Sequence, residues 1–430
     1  MERTLVKEAF NKKAGSKICL KGWVYDSRDL SKIRFIVLRD ISGRIQITGV
    51  KKETKENIFE IMSKINRESV IEVVGEIKDS KQAPGGKEIA PEKIEVLAKA
   101  ESPLPIDVSD FSKTELPKRL DYRFLDLHRE RVQAIFKIQS TLLQAFREFM
   151  INEGAIEVCL PTIISSSSEG GTELFPVQYF EKEAMLSQSC QLYKQMLACA
   201  MEKVFTVFTV ERAEKHNTVR HINESRQMDF EMAFADDKIS MDNMVRCVQH
   251  IIKKILEKNK YDLDLLEIKL KVPAIKYITF AETVELLKKH KIKIGGSDLT
   301  GEAEGKLGEL YPDTIVFVHD WPLAGRTFYI MPKKGKKGEE LSYGFDAIYQ
   351  GMEITSGGQR INDPELLVER LKEKGLNPKN FESYIDSFKF GAPPHAGWGM
   401  GVERLTMQIL GLKNIREATL FPRDRERLTP

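Results

Sequence analysis

The first hundred residues predict a small β-barrel, and the last three hundred predict a larger α+β domain built on an antiparallel sheet flanked by helices. Two observations carry this fold class. The N-terminal part alternates apolar and polar residues with the period of two that strands require. From Arg129 onward a long helical repeat is followed by strand-like runs that cluster together. They do not alternate strictly with helices, which argues against a doubly wound parallel fold.

Taken in order, KICLKGWVYD, RFIVLRD, GRIQITGV, VIEVVGEIK and KIEVLAK are short β-branched runs separated by turn residues. Five strands with one helical insertion over residues 54–66 match a closed barrel of the OB type. Another five-stranded barrel or a half-sandwich would use the same runs. The barrel is assigned to residues 1–102. Residues 103–128, punctuated by Pro and Ser, read as a hinge or linker. Residues 129–430 form the second domain. It opens on RVQAIFKIQSTLLQAFREFMINEG, whose apolar residues keep helical spacing up to a capping Gly154.

Composition narrows the function. The chain has 430 residues, 41% hydrophobic and 30% charged, with a net charge of only +3. Any surface for nucleic acid must therefore be a local patch. Five cysteines without CxxC spacing or a nearby His pair point away from structural zinc and from a disulfide framework. No apolar stretch is long enough to span a bilayer, and the first residues lack the apolar core of a signal peptide. The expectation is a cytoplasmic protein with no membrane partner.

Four stretches carry candidate chemistry. FGAPPHAGWGMGVERL places Gly397, Gly399 and Gly401 before an apolar helix with Arg404 one turn in. Such glycines admit a flat ligand to the backbone, and the Arg suits a purine or a phosphate; a plain Gly-rich turn against a sheet has the same look. ERAEKHNTVRHINE lies between two strand-like runs, so Arg212, Glu214, Arg220 and His221 fall on a hairpin that suits an anionic nucleotide; a solvated charged turn has the same composition. EVCLPTIISSSSEGGTELF puts Pro161 at an edge and Glu169 in a tight turn. GMEITSGGQR sets Glu353 and Ser356, a pair able to hold Mg²⁺ beside phosphate oxygens, near Arg360, which could clamp a carboxylate. No GxGxxG or P-loop appears, so a nucleotide site here needs other machinery.

Pro161, the Arg212/Glu214 hairpin and the Gly-rich run with Arg404 stand in the order and spacing of the three signature motifs of class II aminoacyl-tRNA synthetases. The chain resembles the aspartyl/asparaginyl branch along nearly its whole length, and most of all the compact archaeal-type aspartyl-tRNA synthetases. EGGTELFPVQYF, SQSCQLYKQM, RAEKHNTVRHINE, MDFEMAF and MEITSGGQR all match, as does the C-terminal block. Cys190, where a proline is usual, and Arg226-Gln227, in place of a more apolar pair, depart from the pattern.

The resemblance implies a class II catalytic domain that forms aspartyl-adenylate from ATP and L-aspartate and passes the acyl group to transfer RNA. It implies Arg212, Glu353 and Arg404 as catalytic residues. Glu169, Gln191, Lys194, Arg212, Ser356 and Arg360 would hold aspartate. Arg212, Glu214, Arg220, His221, Ile222, Glu353 and Gly401, Val402, Glu403, Arg404 would hold ATP, with Mg²⁺ on Glu353 and Ser356. Lys194, as a second cation beside Arg360, would favour aspartate over asparagine. The Pro161 region implies a homodimer. The barrel would read the anticodon, with Phe35 stacking a base and Arg28, Gln46 and Glu88 on base edges; by itself, Phe35 in RFIVL equally suits a core position. At two further positions strict enzymes carry Trp and Lys, and relaxed ones His and Pro. Tyr25 matches neither form and Pro84 the relaxed one, so the expectation is charging of tRNA-Asn as well as tRNA-Asp. The rival readings are an asparaginyl-tRNA synthetase, an ATP-dependent asparagine synthetase on the same catalytic domain, and a catalytically silent RNA-binding paralogue.

Overall fold

The computed structural model describes residues 1–109, 111–165, 174–335 and 338–430. The chain divides into two compact units, Met1–Asp107 and Val108–Pro430. In the first unit β1 (Lys17–Asp29), β2 (Ile33–Asp40), β3 (Gly43–Val50), β4 (Val70–Asp79) and β5 (Lys87–Ala98) close a barrel in the order β1-β2-β3-β5-β4. The closing pair β3/β5 is parallel and the others are antiparallel, with β4 returning to β1. Alternation explains the core: Ile18, Leu20, Val24, Ile36, Leu38, Ile45 and Ile47 point inward. The helix Glu56–Lys64 lies between β3 and β4 in sequence, as the insertion predicts, and adds Ile58 and Met62 to that core.

The segment read as a linker is structured at its far end. Helices Leu116–Asp121 and Arg123–Asp126 belong to the second unit. Asp126 is fully buried and takes bonds from Arg119, Arg123 and Arg129 at 2.9, 2.7 and 3.3 Å. Arg123 also donates to the carbonyls of Glu417, Thr419 and Leu420. A periodicity argument misses this segment because it is anchored by charge.

The second unit adds β6 (Ile156–Glu157), β7 (Ile163–Ile164), β8 (Pro176–Tyr179), β9 (Lys182–Leu186), β10 (Lys203–Glu211), β11 (Glu224–Ala233), β12 (Ala274–Thr279), β13 (Thr314–His319), β14 (Pro332–Lys334), β15 (Glu340–Ser342), β16 (Gly344–Tyr349), β17 (Met352–Gln359) and β18 (His395–Gly401). Among the described residues eight of them make one sheet in the order β12-β13-β16-β17-β18-β11-β10-β6. The inner pairs are antiparallel, as expected; only the outermost pairs, β12/β13 and β10/β6, are parallel. One face packs on the helices Glu130–Asn152 and Asp237–Lys258. There Phe146 meets Phe205 and Trp398 edge-on, with centroids 5.5 and 6.1 Å apart. The opposite face carries the candidate site.

Candidate functional site

The site is written into β11. Met228, Phe230 and Met232 turn toward the helical core, so Gln227, Asp229 and Glu231 turn to the other face. Register sets them against Gly401, Gly399 and Gly397 of β18. A Cβ at 397 would lie 2.2 Å from Glu231 Oε2 and 2.3 Å from the Phe230 carbonyl oxygen; one at 399 would lie 2.9 Å from Asp229 Oδ1. These two glycines therefore make room for carboxylates crossing from the next strand. Gly401 alone opens the helix Val402–Leu410.

On β17 the pairing with β16 shifts register between Ala347 and Ile348, so Thr355 faces Ala347 while Glu353 faces Ile348. The extra residue is Ile354, which is buried beside Thr355. The shift undoes the opposite facing that a three-residue spacing dictates, and both Glu353 and Ser356 reach the cleft.

The cleft is continuous. A cavity of ≈ 470 Å³ runs from Arg360, Gln191 and Asp229 to Arg212, and a smaller one of ≈ 140 Å³ continues past Arg220, His221, Ile222 and Arg404. Both share Arg212, Glu214, Gln227, Glu353, Ser356 and Gly399 as a common wall.

At the amino-acid end four buried charges balance. Arg360 grips Glu231 through Nε at 2.8 Å and Nη2 at 3.2 Å. Lys194 Nζ lies 2.7 Å from Asp229, 3.4 Å from Glu231 and 3.1 Å from the Trp398 carbonyl. Burial raises the cost of charge, but Arg360 and Lys194 together hold the Glu231 carboxyl below its usual range. Arg360 lines the cleft, whereas Lys194 is not among the lining residues. The lysine thus supports Asp229 from behind, and Arg360 is the cation that borders the cleft. Cys190 is buried beside Asp229, and with it burial pushes the thiol well up.

At the other end Arg212 and Arg404 are partly exposed, each 3.8 Å from a carboxylate, Glu214 and Glu353 respectively, and Arg404 also donates to the Glu353 carbonyl at 3.3 Å. Asn223 fixes the hairpin mouth by donating to the carbonyls of Arg212 and Glu214 at 2.7 and 3.0 Å. Arg220 pairs with Glu304 at 3.2 Å, and His221 Nδ1 lies 2.6 Å from the Thr218 hydroxyl, with burial lowering its pKa. Val402 turns into the apolar core. Glu403 borders the smaller cavity, but its carboxylate accepts from the Arg226 backbone and guanidinium at 3.0 and 2.9 Å. Arg226 also donates to Gln139 at 2.6 Å, so the departure at this position is a buried polar clamp.

Burial, then the neighbouring Asp346 and Glu304 carboxylates, push the Glu353 carboxyl up to about 7. That repulsion fits a divalent cation beside Glu353 and Ser356. Two protein oxygens with room for phosphate match the usual sparse protein ligation of Mg²⁺. Among the described residues no group of three or more acidic, His or Cys side chains forms a self-sufficient metal cage.

In the barrel, Phe35 lies outside the core, opposite Arg28 on β1 and Thr48 on β3. Gln46 and Thr48 both donate to Glu88, at 2.9 and 2.5 Å. These four strands present one polar face centred on a half-buried ring. Tyr25 sits at the register shift of β1, with the Arg44 guanidinium 3.8 Å from its ring centre. Pro84 is exposed in the turn before β5.

The structure thus gathers Gln191, Arg212, Glu214, Glu353, Ser356 and Arg360 around one cavity and Arg220, His221, Ile222, Gly401 and Arg404 around its extension. Glu169 lies outside the described residues. Sequence reasoning missed Gln227, Asp229, Glu231 and Asp346, and Arg326, which lines the larger cavity and grips Asp346 at 3.0 and 2.8 Å. The strict polar–apolar alternation of QMDFEM was the available signal for three of them.

Residues 115–425 match the family described as tRNA synthetases class II (D, K and N), and residues 18–97 match the OB-fold nucleic acid binding domain. The chain is 48% identical over 420 residues to an aspartate–tRNA(Asp/Asn) ligase of Archaeoglobus fulgidus, covering 97% of each chain. It is 44% identical to an aspartate–tRNA(Asp) ligase of Pyrococcus abyssi, again covering 97% of each. Its structure superposes with a TM-score of 0.94 on the asparaginyl-tRNA synthetase of Pyrococcus horikoshii complexed with asparaginyl-adenylate, at 33% identity and full coverage of both chains.

Two outcomes follow from the geometry. Gly397→Ala forces a methyl group against Glu231 and the Phe230 backbone. It should cost about 1–3 kcal/mol in denaturant unfolding, the range for overpacking a close-packed site; an unchanged unfolding midpoint would contradict the close approach. The second outcome concerns pH. Glu353 ionises at about 7 when folded and near 4.5 otherwise, so in that window the folded chain holds the proton that the unfolded chain has released. The Glu353 contribution to metal-free stability should therefore fall as pH rises from 4.5 to 7, and Glu353→Gln should remove that contribution from the Tm–pH curve when compared with the wild type.

Proposed function

Because the chain belongs to the tRNA synthetases of class II (D, K and N), we propose that it activates aspartate with ATP and transfers it to transfer RNA. The observation that carries the reading is the shared wall of the cleft. An amino-acid pocket ending on Arg360 opens directly onto a nucleotide pocket bordered by Arg220, His221 and Arg404, with Arg212 between them.

In the first step the aspartate carboxylate attacks the α-phosphorus of ATP, the bond to the β-phosphate oxygen breaks, and aspartyl-adenylate and pyrophosphate form. Arg212 contacts both reactants and stabilises the charge that develops on the α-phosphate, a task of position and electrostatics. Arg404 and Arg220 hold the outer phosphates, while His221, Ile222 and the Gly401 backbone border the adenine. Glu353 and Ser356 would hold the Mg²⁺ that accompanies ATP, which would supply neutralisation of phosphate charge. In the second step a ribose hydroxyl at the end of the tRNA attacks the acyl carbon, and AMP leaves. Arg360 binds the aspartate side chain, and Gln191 receives the ammonium group.

The barrel binds the anticodon on the Arg28–Phe35–Gln46–Glu88 face, whose half-buried ring is suited to stacking a base. Pro84 supports relaxed tRNA choice, which the name of the Archaeoglobus fulgidus relative also carries, while Tyr25 matches neither form. A homodimer is supported by the sheet edge at β6 and by exposed Ile156, Ile163 and Tyr179 near Pro161. The five thiols are unpaired, in keeping with a reducing cytoplasm.

Exchange of pyrophosphate into ATP should depend on aspartate and not on asparagine; the reverse preference would make the chain an asparaginyl enzyme. Purified transcripts of tRNA-Asp and tRNA-Asn should both accept labelled aspartate, and strict discrimination between them would refute relaxed choice. Sedimentation should give twice the chain mass, and Ile156→Asp with Ile163→Asp should halve it. A wild-type monomer would end the dimer reading.

A further inference from the structure

Behind the amino-acid pocket a chain of hydrogen bonds has its polarity set from one end. His395 Nδ1 lies 2.9 Å from the Pro393 carbonyl oxygen. That oxygen only accepts, so Nδ1 bears the proton and Nε2 of the neutral ring is an acceptor. Gln195 places its Nε2 3.0 Å from that ring nitrogen. Its Oε1 then faces the other way, accepting from Tyr384 Oη at 3.0 Å and from Gln191 Nε2 at 2.9 Å. With its nitrogen so committed, Gln191 has its Oε1 left for the cleft that it lines. All four side chains are buried, so a reversed amide would leave donors facing donors where water does not repair the mismatch.

We propose that His395 and Gln195 are positioning residues that fix the Gln191 amide with its oxygen toward the cleft, where it accepts from the α-ammonium group of the amino acid. The proposal rests on the reading that the amino acid binds at Gln191. It assigns a function to two residues that touch no substrate.

The ring is built to stay neutral. It stacks on Phe388 with centroids 5.7 Å apart. Burial and the Arg360 guanidinium lower its pKa, while Glu231 and the Pro393 carbonyl oppose them. A protonated His395 would present a second donor to Gln195 and force its amide to turn over. Gln191 would turn with it and point an NH₂ at the ammonium group.

The test is ATP–pyrophosphate exchange with separate KM values for aspartate and ATP. His395→Met removes the acceptor at similar volume. It should raise the KM for aspartate by about tenfold or more, as expected for a misdirected hydrogen bond to a charged group, and leave the KM for ATP unchanged. His395→Gln returns an amide oxygen to the Nε2 position and should restore the aspartate KM. Gln195→Glu, which keeps an acceptor toward Gln191 and stabilises a protonated His395, should also retain it, while Gln195→Leu should not. No rise with His395→Met, or an equal rise for both substrates, would overturn the proposal. Nitrogen NMR of the free wild-type protein decides it independently of activity, and also if a variant fails to fold: Nε2 of His395 should be unprotonated, and an Nε2–H tautomer sinks the relay. Absence of exchange with any amino acid would count against the functional reading alone.

Discussion

The site depends on four buried charges that sum to zero. Lys194 and Arg360 face Asp229 and Glu231 in a setting where each charge alone would be prohibitively desolvated. Removing any one leaves its partner buried and unpaired, typically a loss of about 3–5 kcal/mol. The cluster also dictates covalent structure elsewhere. Its carboxylates cross the neighbouring strand, and that strand has room for them only because residues 397 and 399 are glycine. A sheet position normally filled by a side chain has been given to a side chain from next door.

This arrangement changes the argument for aspartate. Counted from sequence, Lys194 and Arg360 are two cations beside the substrate. In the fold Lys194 pairs with Asp229 and Glu231, Arg360 pairs with Glu231, and of the two cations Arg360 is the one that lines the cleft. On the proposed binding of aspartate, discrimination between a carboxylate and an amide falls on Arg360 and on the orientation of the groups around it. Orientation matters more in such a site than charge count, because an amide misdirected by its neighbours repels a ligand without changing any formal charge. The proposed Gln195–His395 relay sets such an orientation at Gln191, toward the α-ammonium group that aspartate and asparagine share.

Much of this was legible in the sequence, and what was not has identifiable causes. Strand period, one helical insertion and turn residues sufficed for the barrel, because its core uses one face of each strand. The cleft residues on the Arg212 hairpin are legible from motif order, and those on the Glu353 strand from the acid–hydroxyl pair in GMEITSGGQR. Periodicity alone would have separated Glu353 from Ser356, since the register shift at Ile354 that brings them to one face leaves no mark in composition. Asp229 and Glu231 went unassigned because charged residues alternating with apolar ones read as a solvated face. Here that face is the floor of a cleft. The linker was misjudged at 116–126 for a related reason: its order comes from three arginines around Asp126, and ion pairs carry no period.

The barrel repeats the lesson at its surface. Phe35 could have been core or platform, and only the register with Arg28 and Thr48 places it outside. Tyr25 is more constrained than a loop aromatic, because a β-bulge lifts it out of the ladder and Arg44 covers its ring. With Arg44 3.8 Å and Arg39 5.6 Å from its centre, the ring is shared with two guanidinium groups before any base reaches it. Substituting a larger aromatic there would have to displace Arg44, which shares the face of β3 with Gln46. On the proposed reading of the barrel, anticodon choice at this position is coupled to the Gln46–Glu88 pair through one short strand, and Tyr25 acts by where it holds Arg44 as much as by what its ring touches.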